Sequence, residues 1–423
     1  MYNLHFIIKV CKIYEPFDDA RKGTDMNMNT THKSMKFQFI LFLIATAAMT
    51  TAGGINDSIF NNFLSDTFHL SAGARGWLEM PRELPGLLVV VMTGILAALP
   101  ITRVGSVGGI LFCIGMFGLA FFGSSFWPMT AMMMISSAGL HLIQPVTMSI
   151  AMSMGNEHTR GTRIGQTGAA ETLGVVLGTS FVWLFFDKVH PQYRLGFFLA
   201  ALGGLITAIV YYQINLKQLH QPRSRMVFKR KFFLYYLLEF LFGARKQIFL
   251  TFGPWVLIKA YGRPANSIAG LLLIAAIIGI FFKPFVGKVI DRLGERKVLV
   301  FDGFALFFVC LGYAYAKNLF DHNTAYIIAG ACFIGDNMLF ALGSGRAVYV
   351  SRIADSPQEL NSTLAMGVSI NHIVSMTIPA VAGFVWLTFG FERVFLAASI
   401  LALIISATAT MVPKKQNQPV KQS

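Results

Sequence analysis

Residues 287–297 read Gly287-Lys-Val-Ile-Asp291-Arg292-Leu-Gly294-Glu-Arg296-Lys297, a charge-dense stretch between two long apolar runs. Gly287 and Gly294 allow a tight turn and close backbone approach. Asp291 supplies a carboxylate, while Arg292, Arg296 and Lys297 set three cations where a hydrophobic helix leaves the hydrocarbon. Each flanking run nears the ~20 residues a helix needs to cross a bilayer. Alone in a soluble chain this pattern would mean little. Between two such runs it marks a connecting loop of a membrane protein.

The rest of the chain agrees. Only 13% of the 423 residues are charged and 55% are hydrophobic, where a soluble domain would carry about a quarter charged. Lipid is therefore the solvent for most of the surface. The formal charge of +15 does not indicate nucleic acid, because the bases gather in alternate loops and tails as the positive-inside rule requires. Cys11, Cys113, Cys310 and Cys332 show neither paired nor metal-type spacing, so no disulfide framework or zinc site is indicated. The first long apolar segment is too long for the core of a cleavable signal peptide.

Apolar runs predict twelve spans over 37–64, 72–99, 105–123, 127–154, 164–186, 194–214, 232–258, 264–285, 298–316, 324–350, 361–387 and 393–411. The expected organisation is a tail over 1–35, a six-helix half over 36–214, a basic linker over 215–231, a second half over 232–412 and a tail over 413–423. Residues 1–34 are mixed and poorly periodic; they read either as a cytoplasmic tail or as an extension upstream of the true start near Met35. The linker holds Lys217, Arg223, Arg225, Lys229, Arg230 and Lys231 with no acid. That places it, and with an even helix count both termini, in the cytoplasm. The halves echo one another: Ser71…Gly76 answers Asn266…Gly270, and Arg160…Gly165 answers Asn361…Gly367. Such repeats, with a site near the midplane between them, are a transporter pattern.

The stretch at 287–297 resembles the cytoplasmic loop signature of the major facilitator superfamily, and Arg160-Gly161 with Gly165 resembles its loop between the fourth and fifth helices. The resemblance covers about residues 36–412. It implies an all-α membrane fold of twelve transmembrane helices in two pseudo-symmetric six-helix halves, working as a secondary transporter. One departure stands out. The first-half counterpart, Gly94 to Gly105, keeps Arg103 but has Ala98 where the family has an aspartate. The third, sixth and twelfth helices carry essentially no charge and the ninth only Asp302, which fits their peripheral place in this family. In the second half the resemblance implies that Asp291 pairs with an arginine ending the tenth helix, such as Arg352, to hold a cytoplasmic gate shut.

A charge near the bilayer centre costs ~2.5–3.5 kcal/mol, so each one is paired or functional. Depth along the helices, at ~1.5 Å per residue, separates two layers. His141, Arg245, Lys246, Asp336 and His372 fall near the midplane. Asp57, Glu79, Arg82 and Glu83 fall toward the outside, and Glu171, Glu239 and Arg346 toward the inside. The outer group lies beside Pro81 and Pro85, which strip backbone donors from the second helix; it reads either as a structural ion cluster at a kink or as an outer gate or proton relay. In the family the first, fourth, seventh and tenth helices line the cavity. Asp336 with Arg245 or Lys246 is accordingly expected to contact substrate or couple protons, the other reading being a permanent Asp336–Arg bridge. Asp57, Arg82, Glu83, His141, Glu171, Arg346 and His372 complete the candidate set. The methionines from Met129 to Met154 read as packing.

These features favour a proton-coupled carrier that exports a small polar or anionic organic solute, acting by alternating access, monomeric, without cofactor or resident metal, in a bacterial inner membrane. A divalent metal carrier of the ferroportin type, using Asp57, His141, Asp336 and His372, and a non-transporting receptor are the alternatives. Neither a phosphate-binding loop nor a nucleophile motif is present to suggest an enzyme or an ATP-driven pump.

Overall fold

The computed structural model describes residues 25–155, 159–216 and 228–414. The tail over 1–24, the linker at 217–227 with Lys217, Arg223 and Arg225, and the tail from 415 lie outside the described residues. Residues up to Ile40 and those from Leu41 onward are separate compact units. The first contributes the start of the first helix, Asp25–Phe68, and the second holds everything that follows.

Among the described residues, ten helices are long and apolar enough to cross a membrane. Two further crossings complete the expected twelve, and both are polar or broken. The second span comes in three pieces, Ala72–Trp77, Glu79–Leu87 and Val89–Ile95, interrupted at Leu78 and Leu88. Pro81 supplies the reason for the first break: it lacks an N–H and crowds the Trp77 carbonyl four residues back. The seventh span, Phe233–Lys259, carries Glu239, Arg245 and Lys246 along its length. The remaining spans are Ile101–Phe122, Phe126–Ser153, Arg160–Phe185 and Tyr193–Gln213 in the first half. In the second half they are Ala265–Leu293, Glu295–Leu319, Pro357–Phe389 and Phe391–Ala409. The tenth span runs as His322–Leu339, a tighter turn over Phe340–Gly343, and Ser344–Ile353.

The eighth span corrects the reading of the opening stretch. It continues to Leu293 instead of ending near 285, so Gly287, Asp291 and Arg292 ride on a helix. The turn falls at Gly294 alone, whose φ of 81° is open to glycine and strained for other residues. The ninth span starts at the very next residue.

Packing within each half repeats. The third span lies against the fourth and sixth, and the ninth against the tenth and twelfth. Helices in lipid gain little from hydrophobic burial and associate through small residues and interhelical hydrogen bonds. A Cβ on Gly109 would stand 2.7 Å from the Ala208 nitrogen, and one on Gly303 2.6 Å from the Ser406 nitrogen. Ser106 donates to the Ala208 carbonyl at 2.8 Å, and Ser406 to the Val300 carbonyl at 3.0 Å. The same close approach thus joins third to sixth and ninth to twelfth.

Between the halves the pairing is reciprocal: second span against eleventh, fifth against eighth. At the end away from the linker these contacts are tight. Ala72 and Gly73 pack on Gly383, Gly76 on the Pro379 carbonyl, and Trp183 on Gly270. Asn62 donates to the Arg263 carbonyl at 2.9 Å across the same end. Toward the linker, Cβ atoms placed on Gly161, Gly165, Gly168 or Gly287 would meet no neighbour within 4 Å.

Candidate functional site

Beneath the sealed end lies a cavity of about 480 Å³, within the range of small-molecule sites. Asp57, Arg82, Glu83, His141, Lys246 and His372 all line it, with Glu239 and the neutral groups Asn56, Ser137, Gln144 and Asn371. Residues that helix depth assigned to two layers therefore share one site. The broken second span accounts for this, because a bent helix does not advance along the membrane normal at a constant rise per residue.

The second span brings most of the charge. Glu79 is fully buried and accepts from Arg75 at 2.5 Å, from Arg82 at 2.7 Å and from Gln247 at 2.6 Å. Arg82 also meets Glu83 at 3.2 Å. Its carbonyl accepts from Ser137 on the fourth span. Glu83 reaches the eleventh span, where His372 Nδ1 stands 3.2 Å from Oε2. The rings of His141 and His372 lie 4.9 Å apart between centroids. Gly86 makes room for both, since a Cβ there would run into His141 Nε2 and His372 Cε1.

Arg245 and Asp336 are elsewhere. They pair at 2.9 Å, with Asp302 at 4.0 Å, in a buried cluster inside the second half whose members do not line the cavity. The Arg245 guanidinium also faces the Phe340 ring at 4.7 Å. Asp336 is therefore paired with an arginine and stands outside the cavity lining. This also dismantles the ferroportin-type set of Asp57, His141, Asp336 and His372, since Asp336 is held apart by an arginine. Arg346 pairs with the cavity residue Glu239 at 2.8 Å and lies over the Phe242 ring. Glu171 is exposed and outside the cavity lining.

The motif at 287–297 also rearranges. The acid that meets Arg352 is Glu295, buried at the start of the ninth span, instead of Asp291, which is exposed on the eighth. Arg352 further donates to the Pro413 carbonyl at 3.2 Å. In the first half, where Ala98 replaces the acid, Arg103 instead donates to the Tyr212 carbonyl at 2.8 Å and lies 3.6 Å from that ring's centroid. Of the linker, Lys229 pairs with Glu359 at 2.7 Å, and Lys231 with Asp355 and Glu359 at 2.6 Å each. Hydrogen bonds to Asp355 and then Glu359 hold the Lys231 ammonium's pKa above its usual value.

Arg75, Gln247 and Gly86 escaped the reading of the sequence. Arg75 precedes Glu79 by four residues, the spacing at which helical side chains meet, so that signal was present. The Gln247 bond to Glu79 and the space Gly86 leaves both involve partners distant in sequence.

A family model described as Major Facilitator Superfamily matches residues 41–369. The solved nucleoside transporter NupG is similar in fold, with a TM-score of 0.72 at 14% identity over 89% of this chain and 98% of that one. A D-xylose-proton symporter gives 0.68 at 14% identity, covering 90% and 98%. In sequence, "Hexose transporter 1" of Toxoplasma gondii is 26% identical over 158 residues, 37% of this chain. That match spans 27% of the relative's own length.

Proposed function

Because the chain belongs to the Major Facilitator Superfamily, an integral multi-pass membrane class, we propose that it is a secondary active transporter that moves a small polar organic solute through this cavity by alternating access, coupled to protons. The cavity carries the reading: it lies between the halves, both halves line it, and its far end is closed by the second–eleventh and fifth–eighth contacts. With the linker placed in the cytoplasm by its basic charge, the described state faces inward. Rocking the halves about the cavity would separate Ala72 and Gly73 from Gly383 and bring the linker-side ends together.

Lining charges refine the solute class. Asp57, Glu83 and Glu239 stand against Arg82 and Lys246, and Arg82 is engaged by Glu79 and Glu83. That balance suits a neutral or zwitterionic, hydroxylated solute better than an anion. Asn56, Gln144 and Asn371 offer the paired donors and acceptors that hydroxyl groups need. The nucleoside, xylose and hexose named for the similar proteins are of this class. Proton coupling is assigned to the neighbouring set Glu83, His372 and His141, whose protonation would alter the Glu83–His372 contact between the second and eleventh spans.

The test is flux in proteoliposomes with an imposed pH gradient, over a panel of sugars, nucleosides and amino acids. Uptake of one class, driven by the gradient, is expected. Uptake indifferent to the gradient would remove proton coupling, and saturable binding without flux would make the protein a receptor.

A further inference from the structure

We propose that Glu83, His141 and His372 form a site for one divalent transition-metal ion, bound across the two halves of the bundle. It keeps His141 and His372 of the ferroportin-type set but takes Glu83 in place of Asp57 and Asp336, and it does not require the transport reading.

Three spans supply the ligands: the second gives Glu83, the fourth His141 and the eleventh His372. One ligand atom from each lies within 4.8 Å of the others. Ligands around a tetrahedral ion at ~2.1 Å stand roughly 3.4 Å apart, so modest side-chain rotations close the set. Two imidazoles and a carboxylate, with an open side toward the cavity, suit borderline ions such as Zn²⁺.

His141 points most directly to a ligand. Both of its ring nitrogens are buried and neither has a hydrogen-bond partner among the described residues. Leaving a buried polar atom unsatisfied is unfavourable, and a bound ion would relieve that at one nitrogen. Gly86 keeps the space beside both imidazoles open. Glu83 is divided in a useful way: Arg82 holds Oε1 at 3.2 Å, leaving Oε2 on the histidine side. Arg82 thereby orients the carboxylate, as outer-shell groups commonly do around metals. The nearby cations oppose a metal, but they are outnumbered. Asp57, Glu83 and Glu239 against Arg82 and Lys246 leave one negative formal charge on the lining with neutral imidazoles.

The probe is Zn²⁺, titrated by calorimetry into chelator-stripped, detergent-purified full-length protein. One ion per chain is expected. His141→Ala or His372→Ala should each weaken binding by more than the ~10–100-fold that losing a supporting group costs. Glu83→Gln should weaken it less. Should the alanine variants not fold, His141→Cys and His372→Cys keep the question open to test, because a thiolate still ligates Zn²⁺ and binding should persist. Absence of saturable binding in the unmodified protein overturns the site. So does unchanged binding in the double alanine variant. Flux on the same preparation separates the two readings: flux without Zn²⁺ binding removes only the metal site, and Zn²⁺ binding without flux removes only the transporter.

Discussion

Among the described residues, each half holds a buried arginine–carboxylate cluster of three or more members, and the two differ in what surrounds them. In the first half, Arg75, Glu79, Arg82 and Glu83 stand on one broken helix and run from a sealed interior to the cavity wall. In the second, Arg245, Asp302 and Asp336 come from three helices and are closed off from the cavity. Both consist of arginine and carboxylate, but Arg82 at the cavity wall is 29% exposed and Arg245 only 1%. The difference teaches that charge in a membrane helix is ambiguous until its neighbours are known: one cluster reaches a cavity wall, the other is closed on itself.

Arg245→Met should give the largest effect. It strands two carboxylates and should cost ~3–5 kcal/mol of stability, read as thermal unfolding in detergent, with partial recovery on adding Asp336→Asn. A variant that unfolds normally but loses flux would erase the contrast. Gly86→Ala should follow. The added methyl meets both imidazoles and should cost ~1–3 kcal/mol as overpacking, with flux falling as well. Arg82→Gln should lower flux at least ~10-fold, equivalent to ~1.4 kcal/mol, with little change in unfolding, since Glu79 keeps Arg75 and Gln247. A loss of stability matching that of Arg245→Met would make the cavity cluster structural too.

Two further variants probe the linker side, outside both clusters. Glu295→Gln should cost ~1–3 kcal/mol, because Glu295 is buried while Arg352 is partly exposed, and raise thiol-probe labelling of cysteines introduced near Gly294. Equal labelling would show that this pair does not gate. Lys231→Ala should have the smallest effect, and its pH dependence has a definite sign. The folded protein raises the Lys231 pKa, so the contact contributes fully below the unfolded value and is lost as pH rises through the folded one. Wild type and variant should therefore differ in unfolding midpoint at neutral pH and converge in strong alkali.

Much of the fold was legible because lipid imposes few rules and long apolar runs obey them: the spans fell within several residues of their expected limits in most cases. The eighth ran longer because Gly294, not Gly287, ends it, and an exposed glycine mid-helix looks the same in sequence as one in a turn. The site was half legible. Asp57, Arg82, Glu83, His141, Lys246 and His372 were named, yet assigned to two depths, since Pro81 bends the ruler used to measure them. Arg245 and Asp336 were named for a cavity they do not reach. Which face of a helix looks inward depends on packing with helices far away in the chain.

The hydrogen bond from Gln247 to Glu79 has a consequence for how the protein is made. It joins the second and seventh spans, and these are the two crossings that fall short of a self-sufficient apolar segment. As they leave the ribosome, each would enter the lipid at a loss. The second is synthesised long before the seventh exists, so its glutamate must first lean on Arg75 and Arg82 of its own helix. The seventh then finds an acceptor already in place. Synthesis order and the i, i+3 and i, i+4 spacing of one short segment together make the first half a template against which the least lipid-soluble helix of the second can settle.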